Sequence, residues 1–322
     1  MSPQERFFSP ASLRSWLDRL IAGQPVVGPC QRGANTVFAP LTGAGDWQAD
    51  LLLPKTPAKG LVFPPRRAVG DTTVVPAILW GARPCELQAL DLIDRVFLQE
   101  PADPVYHQRR LALTTVAFAC PQAADTCFCT RVGSHPADRS GADLLLVPVA
   151  GGHLATAGTG RGAELLAGAG EPPTAEQLDA GAAFVRACEE EGQAAAPLPA
   201  TLAALFDSPL WEDLSRGCLS CGVCSFLCPT CHCFDIADER TGKVVFWDCC
   251  AFPDFTLMTS GENPRKSPAI RLRNRILHKF DYLVRTVGRR GCVGCGRCVA
   301  NCPAGLDLVA ALAALEAAAA KE

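Results

Sequence analysis

Apolar residues recur at helical spacing near the start of the chain. Ser9 and Pro10 suit the N-cap and the first turn of a helix. The positions that follow place five apolar side chains on one helical face before Gly23: Leu13, Trp16, Leu17, Leu20 and Ile21. This pattern predicts an amphipathic helix with one face in the protein core.

Short apolar runs between glycine and proline residues then alternate with helical patterns. The runs of 24–80 predict several strands, of which 73–80 is predicted to be buried. The apolar positions of 86–98 return to helical spacing, and the apolar stretches 111–120 and 143–150 predict two more strands. Strands that alternate with helices are typical of a mixed α/β domain.

The composition changes in the middle of the chain, where Ala, Gly and Glu predominate. Helices are predicted over 161–168 and 174–190, and the segment 189–200 is predicted to be a linker. A basic segment with a helical pattern covers 268–286, and an Ala- and Leu-rich helix is predicted at the end of the sequence.

Cysteine is the outlier of the composition, with 18 of 322 residues, whereas 48% hydrophobic and 20% charged residues are ordinary for a globular protein. A net charge of −3 gives no electrostatic reason to expect nucleic acid. The first residues lack the pattern of a signal peptide, and no apolar run reaches the ~18–20 residues of a membrane span. We therefore expect a cytoplasmic protein without a membrane span, in which clustered cysteines are metal ligands more often than disulfides.

One cysteine spacing occurs twice near the C-terminus. The copies are C-x2-C-x2-C-x3-C-P runs at Cys218, Cys221, Cys224 and Cys228, and at Cys292, Cys295, Cys298 and Cys302. This is the run of bacterial two-cluster ferredoxins, whereas structural zinc sites usually use paired C-x2-C units. The sequence therefore predicts two [4Fe–4S] clusters. Three glycines in the runs are expected to let the backbone approach the inorganic sulfides: Gly222, Gly294 and Gly296.

The fourth cysteine of each run in two-cluster ferredoxins ligates the cluster of the other run. Crossed ligation assigns the first cluster to Cys218, Cys221, Cys224 and Cys302. It assigns the second cluster to Cys292, Cys295, Cys298 and Cys228. The exchange would hold two distant motifs together and keep the clusters close enough for electron transfer.

These patterns predict an α+β chain of two domains. Residues 1–205 are predicted to form the mixed α/β domain, and residues 206–322 a mostly helical domain of ferredoxin type that holds both clusters. The long insert between the two runs suggests the helical two-cluster domain of respiratory iron–sulfur subunits.

Four of the remaining cysteines lie in two short segments between the runs: Cys231, Cys233, Cys249 and Cys250. They would line a cluster, bind something else, or serve as ordinary small apolar residues, and the sequence leaves these alternatives open. Two isolated cysteines are interpreted as structural: Cys30 and Cys188.

Four cysteines of the N-terminal half are candidates for a third [4Fe–4S] cluster: Cys85, Cys120, Cys127 and Cys129. Cys85 lies where a predicted buried strand turns into a helix, and a helix N-terminus favours thiolates. Cys120 ends another apolar run. The alternative is a set of buried thiols, because C-x-C is an uncommon cluster spacing.

Two other patterns have simpler explanations than the sites they resemble. The GTGRGA sequence at 158–163 is a near miss to a dinucleotide loop, so neither flavin nor nicotinamide is expected in this chain. The basic residues of 265–279 are interpreted as a solvated helix face, or as an offset to cluster charge or a docking surface for a partner, rather than as a nucleic-acid site. Among the histidines only His232 lies near predicted cluster chemistry.

The motifs together resemble the iron–sulfur beta subunits of cytoplasmic hydrogenase/sulfur reductases, a family that includes an iron–sulfur protein of anaerobic sulfite reductase. The resemblance rests on GARPCELQAL at 81–90, DTCFCT at 125–130, CLSCGVCSFLCPTCHCFDIADE at 218–239, WDCCAF at 247–252, NPR at 263–265, RNRILHKF at 273–280 and CVGCGRCVANCP at 292–303. The family pattern has WDSC where this chain has WDCC. Of that pair, Cys250 is therefore the better candidate for a functional residue.

The resemblance implies an electron-transfer subunit with no substrate site and no catalytic residue of its own. Electrons would pass between a flavoprotein subunit of ferredoxin-reductase type, which handles NAD(P)H, and a catalytic subunit. The implied catalytic subunit is a NiFe hydrogenase, a sulfite or sulfur reductase, or a heterodisulfide-reductase-type module. One alternative is an enzyme whose N-terminal cluster or thiol site acts directly on a small sulfur compound. Another is an iron–sulfur redox sensor or assembly component.

Overall fold

The computed structural model describes residues 4–50, 53–195 and 202–320, and these contain ten strands: β1 (Glu5–Phe8), β2 (Val26–Arg32), β3 (Asn35–Pro40), β4 (Arg66–Ala68), β5 (Ala77–Ala82), β6 (Leu113–Phe118), β7 (Leu144–Val149), β8 (Gly152–Ala157), β9 (Phe234–Glu239) and β10 (Gly242–Trp247). The same residues form eleven α-helices: α1 (Pro10–Gly23), α2 (Pro84–Phe97), α3 (Pro104–Leu111), α4 (Gly160–Leu166), α5 (Ala175–Ala194), α6 (Leu210–Ser215), α7 (Val223–Phe226), α8 (Pro268–Leu277), α9 (Leu283–Val287), α10 (Arg297–Ala300) and α11 (Leu308–Ala319). A π-helical turn, His278–Tyr282, joins α8 to α9.

Seven strands form one sheet in the order β1-β8-β7-β6-β5-β2-β3. The four central strands β2, β5, β6 and β7 are parallel, and the outer strands are antiparallel. Successive side chains of a strand point to opposite faces, so Ile78 and Trp80 enter one apolar core while Leu79 enters the other. Helices α1 and α4 contribute to the first core, and α2, α3 and α5 contribute to the second.

The first predicted helix is confirmed as α1. The Ser9 hydroxyl accepts a hydrogen bond from the Ser12 amide at 3.2 Å, and Pro10 occupies the first turn. Leu13, Trp16 and Leu17 are the buried side chains of this helix. Burial of each large apolar side chain stabilises the fold by about 1.5–3 kcal/mol, so packing holds α1 against the sheet.

Two cysteines follow from the topology of the sheet. Strand β5 ends at Ala82 and α2 begins at Pro84, which puts Cys85 in the first turn of the helix. Strand β6 ends at Phe118, two residues before Cys120. Because β5 and β6 are parallel neighbours, their carboxyl ends lie at the same edge of the sheet and bring Cys85 and Cys120 together there.

The smaller sheet has three strands in the order β4-β10-β9. Strand β4 precedes residue 205 and pairs with β10 through Val244–Ala68 and Phe246–Arg66, so the two predicted domains share a sheet. The β9–β10 hairpin was not predicted. Part of the predicted linker is also wrong, because residues 189–194 continue α5 as helix, and 196–200 lie outside the described residues.

The remaining helices pack around a third apolar core, which includes Leu205, Trp211, Ile276, Phe280 and Leu312. The helical pattern predicted at 268–286 is confirmed as α8, the π-helical turn and α9. Helices and strands both occur, as the predicted α+β class requires. Among the described helices, none combines the length and the apolar character that crossing a membrane would need.

Candidate metal centres

The largest cysteine-lined site is a cavity of about 340 Å³, which we call the surface cavity. Its cysteines are Cys218, Cys221, Cys224 and Cys302, with Cys298 at its margin. Cys221 is exposed, and the neighbouring Leu219 side chain is 66% exposed. This site therefore opens at the protein surface.

A second, smaller pocket of about 10 Å³ is lined by four cysteines: Cys228, Cys292, Cys295 and Cys298. Cys228 and Cys295 are buried, so we call this site the inner pocket. Cys298 lines both the inner pocket and the surface cavity, which makes the two sites direct neighbours. Each of the two predicted sets of four cysteines thus lines one site, including the exchanged residues Cys302 and Cys228. The crossed ligation itself stays a prediction.

The four N-terminal cysteines also line one pocket, of about 30 Å³: Cys85, Cys120, Cys127 and Cys129. Gly294 and Cys295 of the second run form another wall of this N-terminal pocket. The Phe128 amide donates to the Gly294 carbonyl at 2.8 Å, and the Cys127 thiol lies 3.8 Å from the Cys295 carbonyl oxygen. The N-terminal pocket is therefore assembled from both halves of the chain.

Two glycines of the second run make this assembly sterically possible. A Cβ at Gly294 would lie 2.5 Å from the Cys129 nitrogen, and one at Gly296 would lie 2.4 Å from the Thr126 carbonyl oxygen. Both residues have positive φ, +64° and +73°. What these contacts explain is the close packing of the loop at 126–129 on the second run, whereas the sequence suggested approach to inorganic sulfides.

A buried ion pair fixes the same junction. Glu86 follows Cys85 in α2, and its carboxylate pairs with the Arg297 guanidinium, with both side chains only 1% exposed. Glu86 also accepts from the Ala58 amide at 2.9 Å, and Arg297 donates to the Pro54 carbonyl at 2.8 Å. These hydrogen bonds compensate the desolvation of the pair and hold the first turn of α2 against the second run.

The free thiols of the N-terminal pocket hold their protons tightly. Burial raises the pKa of Cys120 to about 11, against an opposing effect of Arg83. Burial raises the pKa of Cys129 to about 12, reinforced by Cys120 and Cys127. Metal ligation requires thiolates, so these residues would bind a metal group with release of protons.

Buried cations lie among the C-terminal cysteines. Arg275 donates to the Cys231 sulfur at 3.4 Å, and Lys279 donates to the Cys228 sulfur at 3.4 Å. Burial alone would lower the pKa of Lys279, but the Cys228 and Cys231 thiolates outweigh it and raise that pKa. Among the ion pairs of residues 4–50, 53–195 and 202–320, none joins a carboxylate to Arg275 or Lys279. A negatively charged, thiolate-ligated group fits this environment.

Burial distinguishes three members of the basic segment from the solvated face expected by default. Arg271, Arg275 and Lys279 are 4–6% exposed. Their spacing of four residues puts them on one helical face, and this spacing is the sequence signal that identifies them. Offset of negative charge, one of the alternatives for this segment, is therefore the better interpretation of these three residues.

The other cysteines divide into two kinds. Cys30 and Cys188 are buried in the apolar cores of the large sheet, in keeping with a structural role. Cys231, Cys233 and Cys250 instead line a fourth site, which we call the hairpin pocket. No group of three or more His, Cys, Asp or Glu side chains in the described part of the chain is suited to a single metal ion, and this holds for all four cysteine sites.

Comparison with known families decides the class of the two C-terminal sites. Residues 217–306, which contain both cysteine runs, match the model of the 4Fe-4S dicluster domain. This part of the chain is a dicluster domain. No solved structure matches the chain.

The dicluster domain belongs to a longer similarity. The chain is 28% identical to sulfhydrogenase 2 subunit beta of Pyrococcus furiosus over 312 residues, which cover 89% of this chain and 91% of the relative. The similarity therefore extends over the N-terminal pocket as well as the dicluster domain. It confirms the predicted resemblance to an iron–sulfur beta subunit of a hydrogenase or sulfur reductase.

Proposed function

We propose that this protein is the electron-transfer subunit of a cytoplasmic multisubunit oxidoreductase and relays electrons between a flavoprotein subunit and a catalytic subunit. The observation that carries the proposal is the contiguity of the cysteine sites. Cys295 lines both the N-terminal and the inner pocket, and Cys298 lines both the inner pocket and the surface cavity. Three sites in succession are suited to transfer, whereas a substrate site would need only one.

The dicluster cysteines would hold two [4Fe–4S] clusters with the crossed ligation described above. Bound clusters would supply one-electron transfer at potentials set by charge, hydrogen bonding and solvent exposure. The chain supplies those influences unequally. Arg275 and Lys279 put buried positive charge beside the inner pocket, while the exposed Cys221 leaves the surface cavity open to solvent.

The N-terminal pocket would hold a third [4Fe–4S] cluster. Its four cysteines converge although they come from the start of α2, the end of β6 and the loop that follows. The Glu86–Arg297 pair and the Phe128–Gly294 hydrogen bond fix this pocket to the dicluster domain. Such attachment keeps the distance for electron transfer constant.

Electron exchange with a partner would take place at the surface cavity. Cys221 is exposed, and Leu219 presents an apolar side chain beside it, as protein docking requires. The relative in Pyrococcus furiosus is named as one subunit of a sulfhydrogenase, which supports a role within an assembly. A flavoprotein of ferredoxin-reductase type and a NiFe hydrogenase or a sulfite, sulfur or heterodisulfide reductase subunit are the proposed partners.

The test is anaerobic purification of the tagged full-length chain from its own cells, followed by identification of co-purifying subunits. We expect a flavoprotein and a hydrogenase or sulfur-reductase subunit, and we expect NAD(P)H to reduce the iron–sulfur centres in the complex but not in the isolated chain. Turnover of sulfite or polysulfide by the isolated chain would overturn the proposal in favour of a direct enzymatic role.

The third cluster has its own test. The variant Cys85→Ala/Cys120→Ala should lose about four irons per chain relative to the unmodified protein. Cys30→Ala is the matched control, because Cys30 is also buried in the N-terminal half but lies in an apolar core. Equal iron content in both variants would restrict the relay to the dicluster domain.

A further inference from the structure

The hairpin pocket contains cysteines that the three-site relay does not use. It is lined by Cys231, Cys233 and Cys250 together with two histidines, His232 and His278. Its volume of about 10 Å³ equals that of the inner pocket, which lies in the dicluster domain. By size and by donor atoms, the hairpin pocket therefore resembles a site of known class in the same protein.

The β9–β10 hairpin explains why these cysteines meet. Cys233 immediately precedes β9, and Cys249 and Cys250 follow two residues after β10. The strands are antiparallel with Phe234 opposite Trp247, so the start of β9 lies beside the end of β10. The Asp248 amide donates to the Cys233 carbonyl at 3.0 Å and continues this pairing beyond the strands. Two cysteine pairs distant in sequence are thus brought to one end of the hairpin.

Only one member of the Cys249–Cys250 pair faces the pocket. Cys250 lines it, whereas Cys249 is fully buried and its sulfur accepts a hydrogen bond from the Ala251 amide at 3.3 Å. This distinction agrees with the family pattern, in which a serine stands at the position of Cys249. Three cysteines therefore face the pocket.

Three buried cations surround these thiols. Lys59 donates to the Cys231 carbonyl at 2.6 Å, Arg275 donates to the Cys231 sulfur, and Lys279 lines the pocket wall. Lys59 is 3% exposed and, like the other two, forms no ion pair with a carboxylate of the described residues. Uncompensated buried charge is costly, and a neutral thiol pair or disulfide would not offset it.

A histidine supplies a fourth donor. The Nδ1 atom of His232 lies 3.0 Å from the Thr230 carbonyl oxygen. A carbonyl oxygen only accepts hydrogen bonds, so Nδ1 carries the proton and Nε2 is left with its lone pair. A backbone carbonyl that fixes the ring in this way is the usual support of a metal-ligating histidine.

We propose that Cys231, Cys233, Cys250 and His232 bind an additional iron–sulfur cluster beside the dicluster domain. Three thiolates supply negative charge to Lys59, Arg275 and Lys279, and the imidazole completes the ligand set. Arg275 and Lys279 line both the hairpin pocket and the inner pocket, so the two sites are neighbours. The hairpin pocket would thus add a branch to the relay, through which single electrons pass to or from the inner pocket.

The first experiment compares the iron and sulfide contents of two variants of the full-length chain, purified anaerobically. Cys231→Ser/Cys233→Ser/Cys250→Ser should lose about four irons and four sulfides per chain, whereas Cys188→Ala should lose none. The loss specific to the triple variant decides the question, whatever the total, so failure of the third cluster in the N-terminal pocket would not affect this test. Unchanged iron, or loss of zinc in place of iron, would overturn the proposal.

The second experiment uses the unmodified protein and does not depend on the folding of a triple variant. Pulsed EPR of the reduced protein should detect a hyperfine coupling from one imidazole nitrogen, and His232→Cys should remove the coupling and retain the iron. The same substitution should lower the potential of one centre, since imidazole ligation raises cluster potentials relative to thiolate ligation. Absence of the coupling from the unmodified protein would exclude His232 as a ligand.

Discussion

Glu86 and Arg297 form a fully buried ion pair between the helix that begins at Cys85 and the second cysteine run. The two residues belong to opposite halves of the chain, so the pair contributes to the junction of the N-terminal pocket with the dicluster domain. Removal of one partner leaves an uncompensated buried charge, which typically costs about 3–5 kcal/mol.

We therefore expect Glu86→Gln to lower the midpoint of anaerobic thermal unfolding by roughly 5–10 °C. The matched control is Glu239→Gln, which removes an exposed ion pair with Arg66 and should cost less than about 1 kcal/mol. Equal midpoints for the two variants would show that the buried pair does not stabilise the junction.

The close contact at Gly294 gives a second prediction. Gly294→Ala should be destabilising and should reduce the iron bound at the N-terminal pocket, because its Cβ would meet Cys129 and the backbone already has positive φ. Gly305→Ala is matched in φ, at +65°, but its Cβ would meet no atom within 4 Å. We expect about 1 kcal/mol for Gly305→Ala and an additional 1–3 kcal/mol or so for Gly294→Ala, measured by denaturant unfolding.

The buried charge of Lys279 should set the potential of the inner pocket. Lys279→Met removes a cation that contacts the Cys228 sulfur, so the reduced and more negative state loses stabilisation and the potential falls. A tenfold change in a one-electron equilibrium corresponds to roughly 60 mV, and we expect a decrease of about this size in an EPR-monitored redox titration. Lys266→Met is the control, because this exposed charge is screened by solvent. Similar shifts in both variants would contradict the assignment.

Crossed ligation is testable with a matched pair of fourth cysteines. Cys228→Ser should shift the potential of the same centre that responds to Lys279→Met, because both residues line the inner pocket. Cys302→Ser should shift the other dicluster centre, since Cys302 lines the surface cavity. The reverse correspondence in redox titrations would mean that each run ligates its own cluster.

His153 gives the chain a defined dependence on pH. Burial, and secondarily Arg83, lower the pKa of His153 below its ordinary value of 6.5. The folded state thus binds this proton less readily than the unfolded state, so the contribution to stability is fully present above pH 6.5 and is lost as the pH falls through the folded pKa. His153→Leu should weaken the decline of the unfolding midpoint below pH 6.5, whereas substitution of the exposed His107 with Gln should leave it unchanged.

The elements with strong local signals were predictable from sequence. Ser9 and Pro10 identified the start of α1, and apolar periodicity identified α2 because its packing face is continuous. The apolar run LVFP at 61–64 was less informative. Leu61 ends a short 3-10 helix, and Phe63 stacks on Trp247 rather than joining a strand. An apolar run indicates burial, but tertiary contacts determine which element it forms.

The sites show the same division. The dicluster cysteines were identifiable because a fixed spacing reflects the ligation of one cluster by a single loop. The contribution of Gly294 to the N-terminal pocket was not, because nothing in the sequence near Cys127 indicates that the second run packs on it. Arg275 was noted as part of a basic segment, yet only its burial among the thiols shows which alternative interpretation applies.

The wall that Gly294 and Cys295 contribute to the N-terminal pocket has a consequence for biosynthesis. Roughly 200 residues separate Cys85 from Gly294, and ribosomes add ~5–20 residues per second, so Cys85 is made roughly 10–40 s before its pocket has all its walls. The growing chain therefore carries several unsatisfied thiols for a period that is long compared with local folding. Delivery of iron and sulfide to this pocket has to follow translation of the second run, and a chain that stops before Gly294 leaves the pocket incomplete.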